Sequence, residues 1–493
     1  MLSLFALKPL AADPVLFPLH VEGYRVVGPD GQLAWLRGAN VNALVQYNPR
    51  YQEAEPVRAA DFREMHALGL NVVRLALSLS RLEPAPGRIS RPYLNTIART
   101  VSWAAQSGVW VILDLHQDRY AASLFPGEAD GFPPWMVQTM GLPTRPIYAN
   151  ITDPAVQGAF TAFWLNYRVH GHTMQSYYVF ALRQLALTFR NCPAVAGYDV
   201  MNEPNPGLFP PSTFVGRVLF PFYDRAVQAI RQAGAHQPIF IEPDLVSAMV
   251  GYQAWPKPRW WHQGVVFEPH FYNGTYRGLG LAQAALHSHL ATPLAKVNLT
   301  PWNGSISSLK LAYSAAARLA RREGVPWLVG EFGNSPTARG NRWLADQVSL
   351  QNAFGVGGLL WLWKIRPQAY RWQLVGPDGG WQADPVRVAI MASPHPLVVG
   401  GRAVQSKFNP LTRRYHLQYS GRRAGGPTRI YLSSLTYPHG FRLRITPSTA
   451  SISKQVEVWK YQESRIEATF LTIGPAAGRV SVTISAVSRQ ASR

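Results

Sequence analysis

The chain has 493 residues, 47% of them hydrophobic, with 40 Gly and 40 Pro; that is enough apolar material for a large core and more than one domain, and it excludes disorder over most of the length. Lys and Arg number 48 against 27 Asp and Glu, a formal net charge of +21, which reads equally as an ordinary solvated Arg-rich surface and as attraction to anionic lipids or acidic glycans, while the lack of zinc-finger spacing, an RRM signature or a long Lys/Arg run speaks against nucleic acid as a partner. A single cysteine, Cys192, excludes an intrachain disulfide and a multi-cysteine metal site.

The first stretch, MLSLFALKPLAADP, is apolar but has no basic n-region and is interrupted by Lys8. It reads either as a poor signal peptide or as a short apolar segment, residues 1–20, packed on the body. No run reaches the roughly 18–20 uninterrupted apolar residues that span a bilayer. The compartment stays open, with a secreted or membrane-peripheral protein expected over a cytoplasmic one. Residues 23–36, GYRVVGPDGQLAWL, read as a hairpin around Pro29-Asp30-Gly31.

Eight apolar runs of strand length follow, at 35–42, 71–77, 109–115, 196–202, 237–242, 264–270, 325–331 and 357–363. Helical patterns lie between them, among them 57–69, 93–107, 177–190, 213–234 and 340–354. Near-continuous apolar strands alternating with helices predict a parallel sheet buried on both faces, here a (β/α)8 barrel over residues 21–390. A doubly wound open sheet is the rival, but RGANVNALVQ after the first strand is not a Gly-rich phosphate loop. Two insertions, 123–175 and 273–310, leave from the C-terminal ends of the third and sixth strands. The loop at 123–140 carries Phe, Trp and Met; it reads equally as a greasy channel or lid and as ordinary packing. From 395 to 493 short alternating runs separated by turn residues predict an antiparallel β-sandwich.

Polar residues fall at one end of the barrel strands. They are Arg74, Asp114, His116, Asn202 and Glu203 in VMNEP, Glu242, His270 and Tyr272 in FEPHFY, Glu331 in VGEFG, and Trp363 with Lys364 in LWLWK. Each has a bland reading: an ion-paired arginine, a core histidine, a capped turn at NEP. Asp114, His116 and Asp118 hint at a metal, but one strand end rarely supplies a whole ligand set. The set as a whole marks a site at the C-terminal face of a barrel.

Two glutamates facing each other across that mouth suit glycoside hydrolysis, which needs one carboxylic acid to protonate the departing oxygen and one carboxylate to attack carbon or activate water. Arg74 beside Glu331 is expected to hold it ionised and lower its pKa, and the neighbouring negative charge to raise that of Glu203. Asn202 is placed for a sugar 2-hydroxyl, and Trp363 offers an apolar plate for a pyranose. The rival class is a carbohydrate or lipid binder with a decayed site.

The motifs RGANVN, NVVRLAL, DLHQD, MNEP, PHFY, VGEFG and LWLWK together resemble glycoside hydrolase family 5 over roughly residues 21–370. Within it, ILDLHQDRYA, the long insertion after it and SSLTYPHGFRL in the β-tail look most like the endoglycoceramidases and the related glucosylceramidases. The resemblance implies retaining hydrolysis without metal or cofactor, with Glu203 as acid/base and Glu331 as nucleophile. Arg74, His116, Asp118, Asn202, His270, Tyr272 and Trp363 would contact or support the substrate. A glycosylceramide-type glycolipid is the implied substrate, with a polysaccharide or a small β-glucoside such as a steryl glucoside as alternatives. A monomer touching anionic membrane from outside, with no nucleic-acid partner, completes the expectation.

Overall fold

The computed structural model describes residues 16–45, 56–124, 131–145, 153–244, 258–272, 302, 304–365, 373–374, 384–461 and 464–487. The eight apolar runs form parallel strands. In chain order they are Arg37–Leu44, Val72–Leu77, Trp110–Leu115, Val195–Asp199, Ile239–Ile241, a sixth in two pieces, Val329–Gly333 and Gly358–Leu360. The sixth strand breaks at Glu268-Pro269: Val265–Phe267 pairs with the fifth strand, and His270–Tyr272 pairs with the seventh. Gly358 lies opposite Arg37, so the eighth strand pairs with the first and the sheet closes. This is a TIM barrel. Every residue of the second and third strands is buried, as expected of a sheet packed on both faces.

The helices fall where the 3.6-residue pattern places them, with termini shifted by a few residues. Arg91–Gln106 begins with Pro92 in its first turn and with Ser90 accepting from the amide of Tyr93. The pattern at 213–234 is one continuous helical path, Pro211–Phe214, a π-helical turn Val215–Leu219, and Phe220–Gln232. Two of the longer helices are not among those segments. Pro154–Trp164 starts at Asp153, whose carboxylate caps Ala155. Ile306–Glu323 ends on the left-handed Gly324. The first lies in the insertion after the third strand. Its Phe160, Phe163 and Trp164 are buried with Tyr120, Phe132 and Tyr178 in a cluster of aromatic contacts. Phe132 and Met136 of the 123–140 loop are buried as well, so these two side chains pack on the body. Met140 is exposed. Residues 125–130 of that loop, and 273–301 of the second insertion, lie outside the described residues.

The C-terminal region forms two antiparallel sheets. One orders Gly401–Asn409, Arg414–Gly421, Gly478–Ala486 and Phe441–Thr446 side by side. The other contains His395–Val399, Thr428–Ser433, Ser464–Ile473 and Ile452–Tyr461, and it is extended by three N-terminal strands, His20–Glu22, Arg25–Val27 and Leu33–Ala34. The N-terminal hairpin therefore pairs with the C-terminal sheet through Ala34 and Val398 rather than with the barrel. Tyr415, Leu417, Ile430, Leu432, Leu471, Val482 and Ile484 fill the space between the sheets.

This β-region meets the barrel where the strands begin. Asn71 takes the amide of Arg37 and donates to the carbonyl of Trp35. The fully buried Arg37 reaches Asn352 and Ser393 and has no carboxylate among these contacts; burial pulls its guanidinium down to about 10. The Tyr431 hydroxyl donates to the carbonyl of Ala67 at 2.8 Å. Gly69, with φ +74°, lies under the Tyr431 ring, and a Cβ there would come within 2.4 Å of it. Gly69→Ala therefore combines a left-handed backbone with overpacking. It is expected to lower stability by about 1–3 kcal/mol, read as a lower denaturation midpoint with an unchanged denaturant slope.

Candidate active site

The site is built outward from Arg74, in the middle of the second strand. A guanidinium in a strand that is otherwise Val, Leu and Ala must find its partners inside the barrel, because no water reaches it. It does so on several strands at once. Nε donates to Asp199 at 2.8 Å, and Nη2 approaches Asp114 at 3.1 Å. Nη2 also contacts Asn202 at 3.0 Å and Glu242 at 2.8 Å. Nη1 donates to Asn40 at 3.1 Å and to Glu331 at 2.7 Å. Burial disfavours the charge, but Asp114, Asp199, Glu242 and Glu331 outweigh it, and Arg74 stays protonated with its pKa above the ordinary range.

Glu331 is buried in the middle of the seventh strand, opposite His270. One of its oxygens takes the Arg74 bond and the other accepts from the Tyr272 hydroxyl. Across the mouth, one Glu203 oxygen lies 3.0 Å from His270 Nδ1, which is itself 3.6 Å from Glu331. One carboxylate oxygen from each glutamate and a His270 ring nitrogen all lie within 4.8 Å of one another. Such a trio has the chemistry to hold a cation, but both Glu331 oxygens are already engaged by Arg74 and Tyr272. Burial raises Glu331 above the usual carboxylate range; His270 and Arg74 pull it back, and Glu203 adds to the rise. The expected lowering by Arg74 is present, but desolvation exceeds it, partly because that one cation is shared among four carboxylates.

The local fold around Glu203 departs from the sequence reading. The fourth strand stops at Asp199, not at 202. Beyond it Asn202 donates to the carbonyl of Gln117 at 2.8 Å, and its oxygen faces Arg74. Glu203 has φ +38°, a left-handed conformation costly for a residue with a Cβ. Its amide is taken by Glu242 at 2.8 Å. The Gln117 side chain bridges the carbonyls of Asn202 and Glu203 at 2.8 and 3.2 Å. Pro204 and Pro206 then lead the chain away.

His116 is held between Asp114 at 2.8 Å and Asp118 at 3.5 Å. Burial opposes its charge, but the two aspartates keep it protonated, its pKa well above the ordinary histidine value. His270 is raised in the same way, against burial, by Glu242 and Glu331. The structure thus brings Arg74, His116, Asp118, Asn202, Glu203, His270, Tyr272 and Glu331 to one mouth. Trp363 is the exception and a correction. It is fully buried behind the eighth strand, and its indole donates to Asp61 at 2.9 Å, beside the Lys364–Asp61 ion pair. The aromatic ring at the site is Trp361, two residues earlier, just past the end of the eighth strand; it stacks on His116 at 5.2 Å and packs with Tyr272.

Asn40, Gln117, Asp199, Glu268 and Trp361 were not among the candidate site residues, and Glu242 was named only as a polar strand end. The signal for two of them was available: Asp199 and Glu268 are carboxylates inside apolar strand runs, as Arg74 is a cation inside one. Both are buried, and Glu268 Oε1 lies 3.9 Å from Arg74.

A family model described as cellulase (glycosyl hydrolase family 5) matches residues 31–366, and a glycoside hydrolase family 5 C-terminal domain model matches residues 394–484. The chain belongs to glycoside hydrolase family 5. This family 5 hydrolase is similar to endoglycoceramidase I of Rhodococcus hoagii, 24% identical over 447 residues, covering 87% of this chain and 82% of that protein. Among solved structures it resembles an endogalactoceramidase, with 26% identity and a TM-score of 0.73, over 96% of this chain and 100% of that one. It also resembles endo-glycoceramidase II from Rhodococcus sp. as a ganglioside GM3 complex, with 25% identity and a TM-score of 0.72, over 96% and 100% of the two chains. The same Rhodococcus enzyme has been captured as a lactosyl-enzyme intermediate, and that structure matches with 25% identity and a TM-score of 0.71, over 93% and 99%.

The buried carboxyls give the hydrolase a pH signature. Burial pushes Glu242 from 4.5 to about 8. Between those values the folded state holds a proton that the unfolded chain has lost, so stability falls as pH rises through that window. The raised His270 and His116 act in the same direction above their unfolded value of 6.5. The denaturation midpoint is therefore expected to drop between pH 4.5 and 8, and Glu242→Gln to flatten that slope.

Proposed function

We propose that this family 5 hydrolase cleaves the β-glycosidic bond of a glycosylceramide-type glycolipid by double displacement through a covalent glycosyl-enzyme. One observation carries the mechanism: a carboxylate oxygen of Glu203 lies within 4.8 Å of one of Glu331. Retaining glycosidases hold their carboxyl groups about 5–5.5 Å apart, and inverting enzymes leave more room for a water. Glu331, oriented by Arg74 and Tyr272, attacks the anomeric carbon as the bond to the aglycone oxygen breaks. Glu203 gives its proton to that oxygen. A water then displaces Glu331 while Glu203 takes back a proton, and the sugar leaves with its original configuration. A primary alkoxide such as that of ceramide is a poor leaving group, so proton delivery matters most for this aglycone.

The substrate class is supported by the endoglycoceramidase relatives and by the GM3 complex of the Rhodococcus enzyme. In this reading Asn202 holds the sugar 2-hydroxyl, His116 and Asp118 line the glycan side, and Trp361 takes the stacking role first expected of Trp363. The excess positive charge favours contact with anionic membrane surfaces.

Hydrolysis of glucosylceramide, ganglioside, steryl glucoside and carboxymethyl cellulose tests the assignment. Release of sugar from the ceramide substrates alone is expected; turnover of cellulose alone would replace glycolipid with polysaccharide. Glu331→Gln and Glu203→Gln should each lower kcat/KM on glycolipid at least about 100-fold. Azide should rescue Glu331→Gly as a glycosyl azide of inverted configuration, and wild-type rates in both Gln variants would refute the mechanism.

The bridge from Gln117 assigns it a positioning role for the strained acid/base. Gln117→Met should lower kcat/KM by about 10- to 100-fold on glycolipid, yet change it little on a dinitrophenyl glycoside, whose leaving group needs no proton. Equal losses on both would mark Gln117 as merely structural.

A further inference from the structure

The four-stranded sheet of the C-terminal region has one apolar and one basic face. In Phe441–Thr446, FRLRIT, residues 441, 443 and 445 are half-buried toward the sandwich core, while Arg442 and Arg444 are exposed. The register carries this alternation across the sheet. Arg442 lies opposite Ser485, which lies opposite Arg414; Arg444 lies opposite Thr483, which lies opposite His416 and, one strand further, Lys407. Arg479 and Arg402 flank Ser420 on the same face. The four strands, GRAVQSKFN, RYHLQYSG, FRLRIT and GRVSVTISA, contain no carboxylate. Between residues 401 and 456 the sequence has ten Lys and Arg and no Asp or Glu.

Among the described residues, Arg402 is paired across to Glu22 and Arg479 donates to Gln418, whereas Lys407, Arg414, Arg442 and Arg444 make no ion pair. A set of positive charges held at strand spacing repels itself, and the positive potential it creates lowers the energy of any anion brought to it. The other positions on this face are Ser, Thr, Gln, Asn, the small Ala403 and His416, with no Phe, Tyr or Trp ring as a stacking platform for nucleobases.

We infer that the outer face of this sheet is a docking surface for the anionic headgroups of a lipid bilayer. Charge complementarity carries the contact; no apolar side chain on this face inserts, so adsorption is electrostatic and reversible by salt. The choice of a bilayer over another polyanion rests on the reading of a lipid-linked substrate.

The test uses the full chain and vesicles that contain no glycolipid, so it is independent of the substrate assignment. Cosedimentation is expected with phosphatidylcholine vesicles containing phosphatidylserine, not with phosphatidylcholine alone, and it should disappear at high salt. At roughly 5-fold in affinity per basic residue near such a surface, Arg414→Glu/Arg442→Glu/Arg444→Glu should weaken binding by at least about 100-fold. Turnover of a soluble aryl glycoside should be unchanged, which also verifies folding; Arg442→Gln/Arg444→Gln is the milder variant if the triple fails to fold. Arg318→Glu/Arg321→Glu on the barrel helix Ile306–Glu323 should bind vesicles nearly as the wild type does. Equal loss in both sets would show that net charge, not this face, binds. Equal binding to neutral vesicles, or tighter binding of single-stranded RNA than of anionic vesicles, would overturn the inference.

Discussion

The guanidinium of Arg74, sealed in the barrel, is the contact on which the site depends. It touches side chains from the first, third, fourth, fifth and seventh strands or their ends, through Asn40, Asp114, Asp199, Asn202, Glu242 and Glu331. A buried cation is tolerable only if its charge is balanced and its donors are met. Here the balancing groups are the ones that the chemistry uses or leans on. Removing the arginine would leave several buried carboxylates facing one another, a change that typically costs about 3–5 kcal/mol. The same contact that closes the core therefore aims Glu331 and orients the Asn202 oxygen.

The excess of buried acid around that single arginine has consequences for the rest of the mouth. His116 and His270 stay protonated in spite of burial because they sit among carboxylates. Glu242, between Arg74, His270 and the amide of Glu203, couples the interior network to the loop that presents the proposed acid/base. The unusual backbone at Glu203 is kept by contacts from two other strand ends, Gln117 and Glu242. The site is held together by the interior of the barrel, while the opposite end meets the β-region where Asn71 donates to Leu397, Arg37 to Ser393 and Tyr431 to Ala67.

Much of this was legible from one sequence. Apolar runs of strand length between helical patterns specify a parallel sheet covered on both faces, because only such burial makes these strands soluble, and eight of them without a Gly-rich phosphate loop point to a barrel. Polar residues at the ends of those runs specify where the site lies, since a charge there has no other place to go. The pairing of Glu203 with Glu331 followed from chemistry and from the family 5 resemblance. The choice between Trp361 and Trp363 was not legible: the two rings are separated by one residue, and which of them faces the mouth depends on how the chain turns after the eighth strand. The direction of the Glu331 shift was also beyond the sequence, because it depends on the competition between burial and one shared cation.

The N-terminal hairpin shows the same division. Its turn was readable in Pro29-Asp30-Gly31, but its partner, the strand His395–Val399, lies more than 350 residues away in the chain. Local pattern determined which segments are strands and helices, which ends carry chemistry, and which face of each C-terminal strand is basic, because these follow from side-chain periodicity along a short stretch. Tertiary structure alone decided which distant segments meet, how many carboxylates share one arginine, and which tryptophan faces the mouth, because pairing and desolvation are properties of the packed chain and not of any stretch of it.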